Sequence, residues 1–228
     1  MTFSASDFLD LSKTEHPSLF QDSVPVWEAL KQIRNYLESS LQPAMKGKIL
    51  GAPFIDDRVT IGPGTVIENG ACLKGPAWIG SNCEIRSGCY IRGNVIIGNG
   101  VVLGNSCEFK NCIVFDEAQI PHFSYVGDSI LGYKAHLAAG VILSNVRLDR
   151  GEISVRHEGG KIPTGLKKFG AIVGDKAEIG CNSVISPGTL IGRGSLIYPL
   201  THFSGVLAEN TILQNHQNLR TIPRHALG

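Results

Sequence analysis

Large apolar residues recur at every sixth position through the middle of the chain. A helix would repeat its apolar positions every 3.6 residues, and a half-buried strand every two residues. A period of six that combines an apolar residue with a frequent following glycine is typical of a β-helix built from hexapeptide repeats. The repeat starts at residue 55, and its apolar positions are Ile55, Ile61, Ile67, Leu73, Ile79, Ile85, Ile91, Ile97, Leu103, Phe109 and Phe115.

Each hexad predicts one short strand and one corner, so that three hexads close a triangular coil. The apolar residue points into the prism, and neighbouring coils pair as parallel strands about 4.8 Å apart. The frame slips near Pro121, resumes at Leu131 and resumes again at Val173. We therefore predict an all-β solenoid, a parallel β-helix over residues 49–206.

The position four residues after each apolar residue is small or β-branched, which suits a narrow interior. Cys83, Cys89 and Cys107 occupy this position, and so does Ile113. Cys89 and Cys107 stack closely enough for a disulfide. We favour reduced core thiols, because the position needs small buried residues and nothing in the sequence indicates export. The six cysteines show no CxxC spacing, so they predict neither a zinc ribbon nor a redox motif.

Residues 1–48 lack the hexad. Asp22 and Ser23, followed by Pro25, predict the start of one amphipathic helix of roughly 16 residues, with a shorter segment before it around Phe3–Leu11. We interpret this region as a helical cap over the open end of the β-helix, where a strand edge needs cover, or as an oligomer contact. A partner-binding arm is the alternative interpretation.

Residues 147–170 also leave the repeat. The run Ile153–Glu158, the pair Gly159-Gly160 and the following Lys161 predict an inserted β-hairpin with a primed turn. The insertion carries six Lys or Arg residues against three acids. Insertions in repeat proteins often line the binding face, so this one is either a solvated loop or a lid over an anionic ligand. Residues 207–228 are expected to form a C-terminal tail.

Charge and composition exclude several classes of function. The net charge is +1, from 21 Lys and Arg against 20 Asp and Glu, which argues against a dedicated nucleic-acid binder or a polybasic membrane binder. No apolar run approaches the roughly 18 residues of a membrane helix. The N-terminus lacks the basic and apolar regions of a secretory signal. We expect a cytoplasmic protein that binds small molecules and neither nucleic acid nor membrane.

Two features outside the core could carry chemistry. Lys74, Arg92 and Lys110 are each one step after an apolar position, so they predict a column of cations on one face. Such a column is repulsive unless an anion such as a phosphate binds there, and three separate surface cations are the alternative. His122 lies at the frame slip and could act as a neutral general base, or be merely structural. The histidines lack the close pair of a metal site, and we predict none.

The stretch GNSCEFKNCIVFDEAQIPHFSYVGDSILGYKAHLAAGVILSN (104–145) resembles the acetyltransferase half of the bifunctional glucosamine-1-phosphate acetyltransferase / N-acetylglucosamine-1-phosphate uridylyltransferase. That family's pattern is GN-x-x-E-x-K, then H-x-x-Y-x-GD, then AG-x-x-x-x-N. The hairpin and its exit, NVRLDRGEIS through TGLKKFGAIVGD, are more similar to the C-terminal domain of archaeal-type and long-form sugar-1-phosphate nucleotidylyltransferases. The resemblance covers roughly residues 50–200, and it implies left-handed winding and a homotrimer with sites between subunits.

The resemblance also implies acetyl transfer from acetyl-CoA to the amine of a hexosamine 1-phosphate, with no metal and no covalent enzyme intermediate. It makes His122 the base and Glu108 an acidic site residue that would orient it. It further implies an oxyanion donor among the backbone N–H groups of the turn at 138–140. The residues implied for the sugar phosphate are Arg92, Lys110, Tyr125, Asn145 and the nearby Lys168, and those for the acyl donor are Ala138, Ala139, Gly140 and Cys181.

Three functions remain open from the sequence. The first is this N-acetyltransferase, without uridylyl transfer, because residues 1–48 are too few for a nucleotide-binding domain. The second is a non-catalytic module that binds a sugar phosphate or sugar nucleotide, with a regulatory or assembly role. The third is another hexapeptide acyltransferase with a different acceptor.

Overall fold

Three parallel sheets form the three faces of a left-handed β-helix in the computed structural model, which describes residues 3–216. Within that range sheet A has nine strands: Ala44–Met45, Val59–Ile61, Ala77–Ile79, Val95–Ile97, Cys112–Val114, Ile130–Leu131, Ala171–Val173, Thr189–Ile191 and Val206–Leu207. Sheet B has nine: Lys48–Ile49, Val66–Ile67, Glu84–Ile85, Val102–Asn105, Gln119–His122, His136–Leu137, Glu178–Ile179, Leu196–Ile197 and Ile212–Leu213. Sheet C has eight: Phe54–Ile55, Cys72–Leu73, Tyr90–Ile91, Glu108–Lys110, Tyr125–Gly127, Ile142–Leu143, Val184–Ile185 and His202–Phe203.

The predicted β-helix is confirmed, and its paired strands extend beyond the expected 49–206 range. Ala44–Met45 pairs with the strand of the next coil, and Ile212–Leu213 pairs with Leu196–Ile197. Part of the predicted tail therefore belongs to sheet B, and residues 217–228 of that tail lie outside the described residues. Among residues 3–216, no helix has the length and apolar character needed to cross a membrane.

The interior of the prism is filled by the apolar residues of the repeat, as predicted, up to Phe109. The prediction that Phe115 and Ile113 also point inward is wrong. Sheet A pairs Ile97 with Val114, so Val114 and Cys112 take the inward positions. The corner before this strand is one residue short, and a one-residue slip turns every following side chain to the opposite face.

The cysteines behave as predicted. Cys83, Cys89 and Cys107 are buried in the prism and are free thiols, and burial raises the pKa of each. Cys112 joins them in the interior, where burial raises its pKa strongly. Because a thiol with a raised pKa stays protonated, these four side chains act as small apolar filling.

The N-terminal region packs along a face of the β-helix rather than over its open end. It contains the helices α1 (Ala5–Phe8) and α2 (Ala29–Ser40), with 3-10 turns at Leu11–Lys13, Pro17–Leu19 and Val26–Glu28. The buried side of α2 joins outward side chains of sheet A in a second apolar cluster. The N-terminal region packs on sheet A because the outward positions of this sheet are aliphatic. These positions are Ile96, Ile113, Ile130, Ile172 and Leu190.

The insertion forms an antiparallel hairpin, as predicted, from strands Ile153–His157 and Gly160–Leu166. Its turn lies one residue earlier than expected, because His157 pairs with Gly160 across Glu158 and Gly159. Ile153 and Val155 are buried in the apolar cluster that also contains Leu190 of sheet A. The base of the hairpin is therefore anchored to the β-helix, and its other side chains border the C-terminal coils.

Candidate active site

The three predicted cations lie in one column on the outer face of sheet C. Leu73 pairs with Ile91, and Ile91 pairs with Phe109. The residues that follow these three, Lys74, Arg92 and Lys110, are therefore stacked one coil apart. We call this set the cation column.

The first two members of the cation column are bound to neighbours within sheet C. Lys74 donates to the Tyr90 hydroxyl at 3.0 Å, and this hydrogen bond raises the pKa of Lys74. Arg92 donates to Glu108 Oε1 at 2.7 Å, and this bond raises the pKa of Arg92. Arg92 remains 45% exposed as a side chain, so a bound anion could reach it without unfolding anything.

Lys110 is paired with Asp128, a residue that the sequence analysis did not select. Lys110 Nζ lies 2.9 Å from Asp128 Oδ2 and 3.2 Å from Oδ1. Asp128 is 4% exposed, and its carboxylate also accepts from Asn111 at 3.0 Å and from Asn145 at 2.6 Å. A buried carboxylate with this many donors is a rigid anchor that fixes the side chains around it.

The local backbone explains how Asp128 comes to face Lys110. The corners after Lys110 and after Gly127 are each one residue shorter than those of the earlier coils. Residues that pair between neighbouring coils are eighteen positions apart in the earlier coils and seventeen apart here. Asn111 (φ 47°) and Asp128 (φ 48°) adopt the left-handed conformation at these corners, which Asn and Asp tolerate best among residues other than glycine. The GD pair of the quoted motif was the available signal for Asp128.

Tyr125 and Asn145 complete this cluster. Asn145 Nδ2 donates to the Tyr125 hydroxyl at 3.1 Å, and the Tyr125 ring lies where a side chain at Gly127 would have to be. Burial raises the pKa of Tyr125, and the Asp128 carboxylate adds to the effect. We call Lys110, Asp128, Asn145 and Tyr125 the Asp128 cluster. Three predicted sugar-phosphate residues are thus brought together around one buried acid.

Lys168 is exposed next to the Asp128 cluster. The backbone N–H of Phe169 donates to the Asn145 carbonyl at 3.0 Å, which brings the end of the hairpin segment to the cluster. Gly170 has no room for a side chain, because a Cβ there would lie 2.5 Å from the Gly127 carbonyl oxygen. Of the positions at the hairpin exit, Lys168 is therefore available for a ligand and residue 170 is not.

His122 and the predicted acyl-donor turns are stacked along the corner between sheets B and C. The Gly140 N–H donates to the His122 carbonyl at 3.1 Å, and the Asn182 N–H donates to the Ala139 carbonyl at 2.9 Å. The turns containing His122, Ala139 and Cys181 therefore follow one another along this corner. We call this column of turns the B–C corner.

Only one amide of the predicted oxyanion turn is unused. Ala138 N–H donates to Ile179 and Gly140 N–H donates to His122. Within the part of the chain that the structure describes, Ala139 N–H has no acceptor, and Ala139 is half-buried. An amide without a protein acceptor is what an oxyanion requires.

Glu108 does not orient His122 in this structure. Its carboxylate accepts from Arg92, and the His122 ring makes no hydrogen bond to any residue between 3 and 216. The ring is exposed, with the exposed Phe123 ring 6.3 Å away. Over the same residues, no group of three or more His, Cys, Asp or Glu side chains is arranged to hold a metal ion.

Comparison with known proteins gives one family profile and several relatives. The profile described as the GMPPB C-terminal domain matches residues 73–159. The bifunctional sugar-1-phosphate nucleotidylyltransferase/acetyltransferase of Sulfurisphaera tokodaii is 38% identical over 92 residues, which are 40% of this chain and 23% of that protein. The chain therefore spans about a quarter of the length of that bifunctional relative.

A second relative matches almost end to end. The putative uncharacterized acetyltransferase YaiX of Escherichia coli K12 is 34% identical over 194 residues, which are 84% of each chain. Among solved structures, a mutant of the N-acyltransferase AntD from Bacillus cereus, in complex with dTDP and coenzyme A, is 15% identical. That match covers 76% of this chain and 75% of AntD, with a TM-score of 0.30.

Proposed function

The chain belongs to the left-handed β-helix acetyltransferase family, and we propose that it transfers an acetyl group from acetyl-CoA to the amine of a hexosamine 1-phosphate such as glucosamine 1-phosphate. The observation that carries this proposal is the B–C corner. A solvent-accessible imidazole at His122 lies one coil from the unused N–H of Ala139, and the strand Tyr125–Gly127 leads from the His122 turn to the Asp128 cluster. A base, an oxyanion donor and a polar sugar site are the three parts that acyl transfer needs.

In the proposed reaction the sugar amine attacks the thioester carbonyl of acetyl-CoA. His122 accepts the proton that the amine loses as the C–N bond forms. The tetrahedral oxyanion accepts a hydrogen bond from Ala139 N–H. The intermediate collapses with cleavage of the C–S bond, and the proton on His122 passes to the departing CoA thiolate. No metal and no covalent enzyme intermediate take part.

The sugar phosphate would be held by the outer face of sheet C. Arg92 and Lys110 supply two cations one coil apart, and Lys168 supplies a third at the hairpin exit. Tyr125 and Asn145 would form hydrogen bonds with sugar hydroxyls, both as donors and as acceptors. Their fixed geometry would align the amine with the thioester and lower the entropic cost of the reaction. We expect Asp128 to hold Lys110 and Asn145 in position without touching the substrate.

The acyl donor would lie along the B–C corner, past Ala138, Gly140 and Cys181. Cys181 is exposed there, and so are the apolar side chains of Tyr198 (44% exposed) and Leu200 (54% exposed). Exposed apolar side chains beside a polar site favour a ligand or a neighbouring subunit. We expect a homotrimer in which a second subunit covers the B–C corner, and sedimentation velocity would measure that oligomeric state directly.

A thiol-release assay with acetyl-CoA and glucosamine 1-phosphate tests the proposal. We expect release that depends on both substrates and falls at least about a hundredfold in His122→Ala, the usual range for a lost general base. The matched control is His136→Ala, which removes another outward histidine, on sheet B. Equal losses in both variants would contradict the role of His122. Release only with another amine or hydroxyl acceptor would favour a different hexapeptide acyltransferase.

A second candidate function is a non-catalytic module that binds a sugar phosphate. The observation that favours it is the internal pairing of the site, since Arg92 is bound to Glu108 and His122 lacks an orienting carboxylate. Titration calorimetry with glucosamine 1-phosphate distinguishes the two candidates. Binding that Arg92→Ala weakens, without any thiol release in the wild type, would favour the module and exclude acetyl transfer to glucosamine 1-phosphate.

A further inference from the structure

A second cluster of cations surrounds a cavity of about 410 Å³ between the hairpin and the C-terminal coils. The loop at 147–149 closes one side, the hairpin strands close another, and the outer face of sheet C forms the floor. Its basic lining residues are Arg147, Arg156, Lys161 and His202. None of these four belongs to the cation column or to the Asp128 cluster.

The charges around the cavity are not balanced. Arg156 and Lys161 face each other directly across the two hairpin strands, a like-charge pairing that destabilises an antiparallel ladder. Within residues 3–216 neither of them has a carboxylate within salt-bridge distance. The acidic residue of the lining, Asp149, is already bound by Arg147. A bound anion would remove the repulsion that the protein itself leaves uncompensated.

Neutral hydrogen-bonding groups complete the cavity floor. Ser186 Oγ lies 2.8 Å from His202 Nε2, and both residues lie on the outer face of sheet C. When His202 Nε2–H donates to Oγ, the Ser186 hydroxyl keeps its own proton for a ligand oxygen. Phosphate oxygens are the acceptors that best match two cations and an adjacent neutral donor.

We propose that this hairpin cavity is a separate binding site for a phosphate group. It cannot be the far end of the sugar-phosphate site for a single hexosamine 1-phosphate. Ser186 and Lys110 belong to the same outward column of sheet C but are three coils apart, which is about 14 Å at the usual strand spacing. The phosphate therefore comes from a larger ligand, either the acyl donor or a nucleotide-linked sugar, or from a free phosphate compound.

Inorganic pyrophosphate is the first probe, used in titration calorimetry on the full chain at constant ionic strength. We expect binding by the wild type that weakens at least tenfold in the double variant Arg156→Gln/Lys161→Gln. The matched control, Arg34→Gln/Lys46→Gln, removes the same charge from exposed positions elsewhere and keeps the affinity unchanged. Equal weakening in both variants, or no binding by the wild type, would overturn the proposal. Thermal melting verifies that each variant is folded.

Ser186→Ala provides a test that does not alter the net charge. We expect it to weaken pyrophosphate binding several-fold, because it removes one donor from the cavity floor. Thr60→Ala, at an outward position on sheet A, is the control and keeps the affinity. Wild-type affinity in Ser186→Ala would contradict a site built around this hydroxyl.

Two further titrations identify the source of the phosphate. If it belongs to the acyl donor, the hairpin double variant weakens coenzyme A. An unchanged affinity for dephospho-coenzyme A, which lacks the 3′-phosphate, then assigns the site to that phosphate, and an equal loss assigns it to the diphosphate. If it belongs to a nucleotide-linked sugar, the variant weakens a uridine diphosphate sugar and leaves coenzyme A unchanged. Sensitivity to pyrophosphate alone indicates a free phosphate ligand. All of these readouts are independent of acetyl transfer, so failure of the proposed activity and failure of this site are distinguishable.

Discussion

Sheets A and C are built from the same hexapeptide repeat, but their outer faces have opposite properties. Sheet A presents aliphatic residues such as Ile96, Ile113 and Ile130, and the N-terminal region covers them completely. Sheet C presents Arg92 and Lys110 with tyrosines and acids, and the Arg92 side chain stays 45% exposed. The inward residues determine the coil, and the outward residues determine whether a face binds protein or ligand.

The largest effect that separates the covered surface from the open surface is expected from a pair of phenylalanines. Phe115 is fully buried, with the Phe20 ring 5.6 Å away beneath the N-terminal region, whereas Phe123 beside His122 is 60% exposed. We expect Phe115→Ala to cost about 3–5 kcal/mol of unfolding free energy, because it leaves a cavity. Phe123→Ala is expected to cost less than about 0.5 kcal/mol. Urea denaturation followed by tryptophan fluorescence measures both.

If Phe123→Ala lost as much unfolding free energy as Phe115→Ala, the expected difference between the two positions would be contradicted. It would mean that the B–C corner is covered in solution, for example by a second subunit. Repeating the denaturation over a range of protein concentrations separates this case, because only an oligomer contact makes the unfolding midpoint depend on concentration.

The next largest effect distinguishes two buried carboxylates that each follow a glycine. Asp128 anchors Lys110 on sheet C, and Asp175 accepts backbone N–H groups of Asp10 and Tyr133 on the covered side. Replacing either by alanine leaves buried donors unpaired and is expected to cost about 2–3 kcal/mol. We expect only Asp128→Ala to raise the KM for glucosamine 1-phosphate, about tenfold, with a smaller change in kcat.

Denaturation and steady-state kinetics on the same two preparations make this test. If Asp175→Ala raises the KM as much as Asp128→Ala does, the effect is a general loss of stability and Asp128 has no positioning role. If Asp128→Asn restores the stability but not the KM, the negative charge beside Lys110 is the property that the site uses.

Much of the fold could be predicted because a period of six is a local property of the sequence. The coil, the free core cysteines and the stacking of Lys74, Arg92 and Lys110 all follow from counting residues. The hairpin could be predicted from Gly159-Gly160 and its flanking strands, to within one residue at the turn. These features depend on residues near each other in the chain or one coil apart.

The features that could not be predicted depend on two shortened corners and on the choice of hydrogen-bond partners. The short corner before Cys112 turns Phe115 from the interior to the outer face, and counting from Ile97 does not detect it. The same short corners give Asp128 its left-handed backbone and bring it to Lys110. The pairing of Glu108 with Arg92 rather than His122 is a competition between neighbours, which spacing alone cannot decide.

The smallest effect concerns pH and tests the covered face. His16 is buried against sheet A, where its Nδ1 lies 2.9 Å from the Tyr36 hydroxyl and its ring packs edge-on against Trp78. Burial lowers the pKa of His16 below its ordinary value of 6.5, and the nearby Glu15 opposes this only in part. We expect the free energy of unfolding to fall on acidification, measured by urea denaturation between pH 8 and pH 5.

The sign of this dependence follows from which state binds the proton first. The unfolded chain protonates His16 near pH 6.5, whereas burial keeps the imidazole neutral in the folded chain until a lower pH. The contribution of neutral His16 to the free energy of unfolding is therefore complete above pH 6.5. It is lost as the pH falls through the lowered pKa, at about 1.4 kcal/mol for each pKa unit of the shift. Half-buried Asp116 and buried Asp175, whose pKa values are raised by burial, contribute with the opposite sign. Their contributions cancel when the His16→Gln curve is subtracted from that of the wild type. A flat difference for His16→Gln would show that water already reaches the covered face of sheet A.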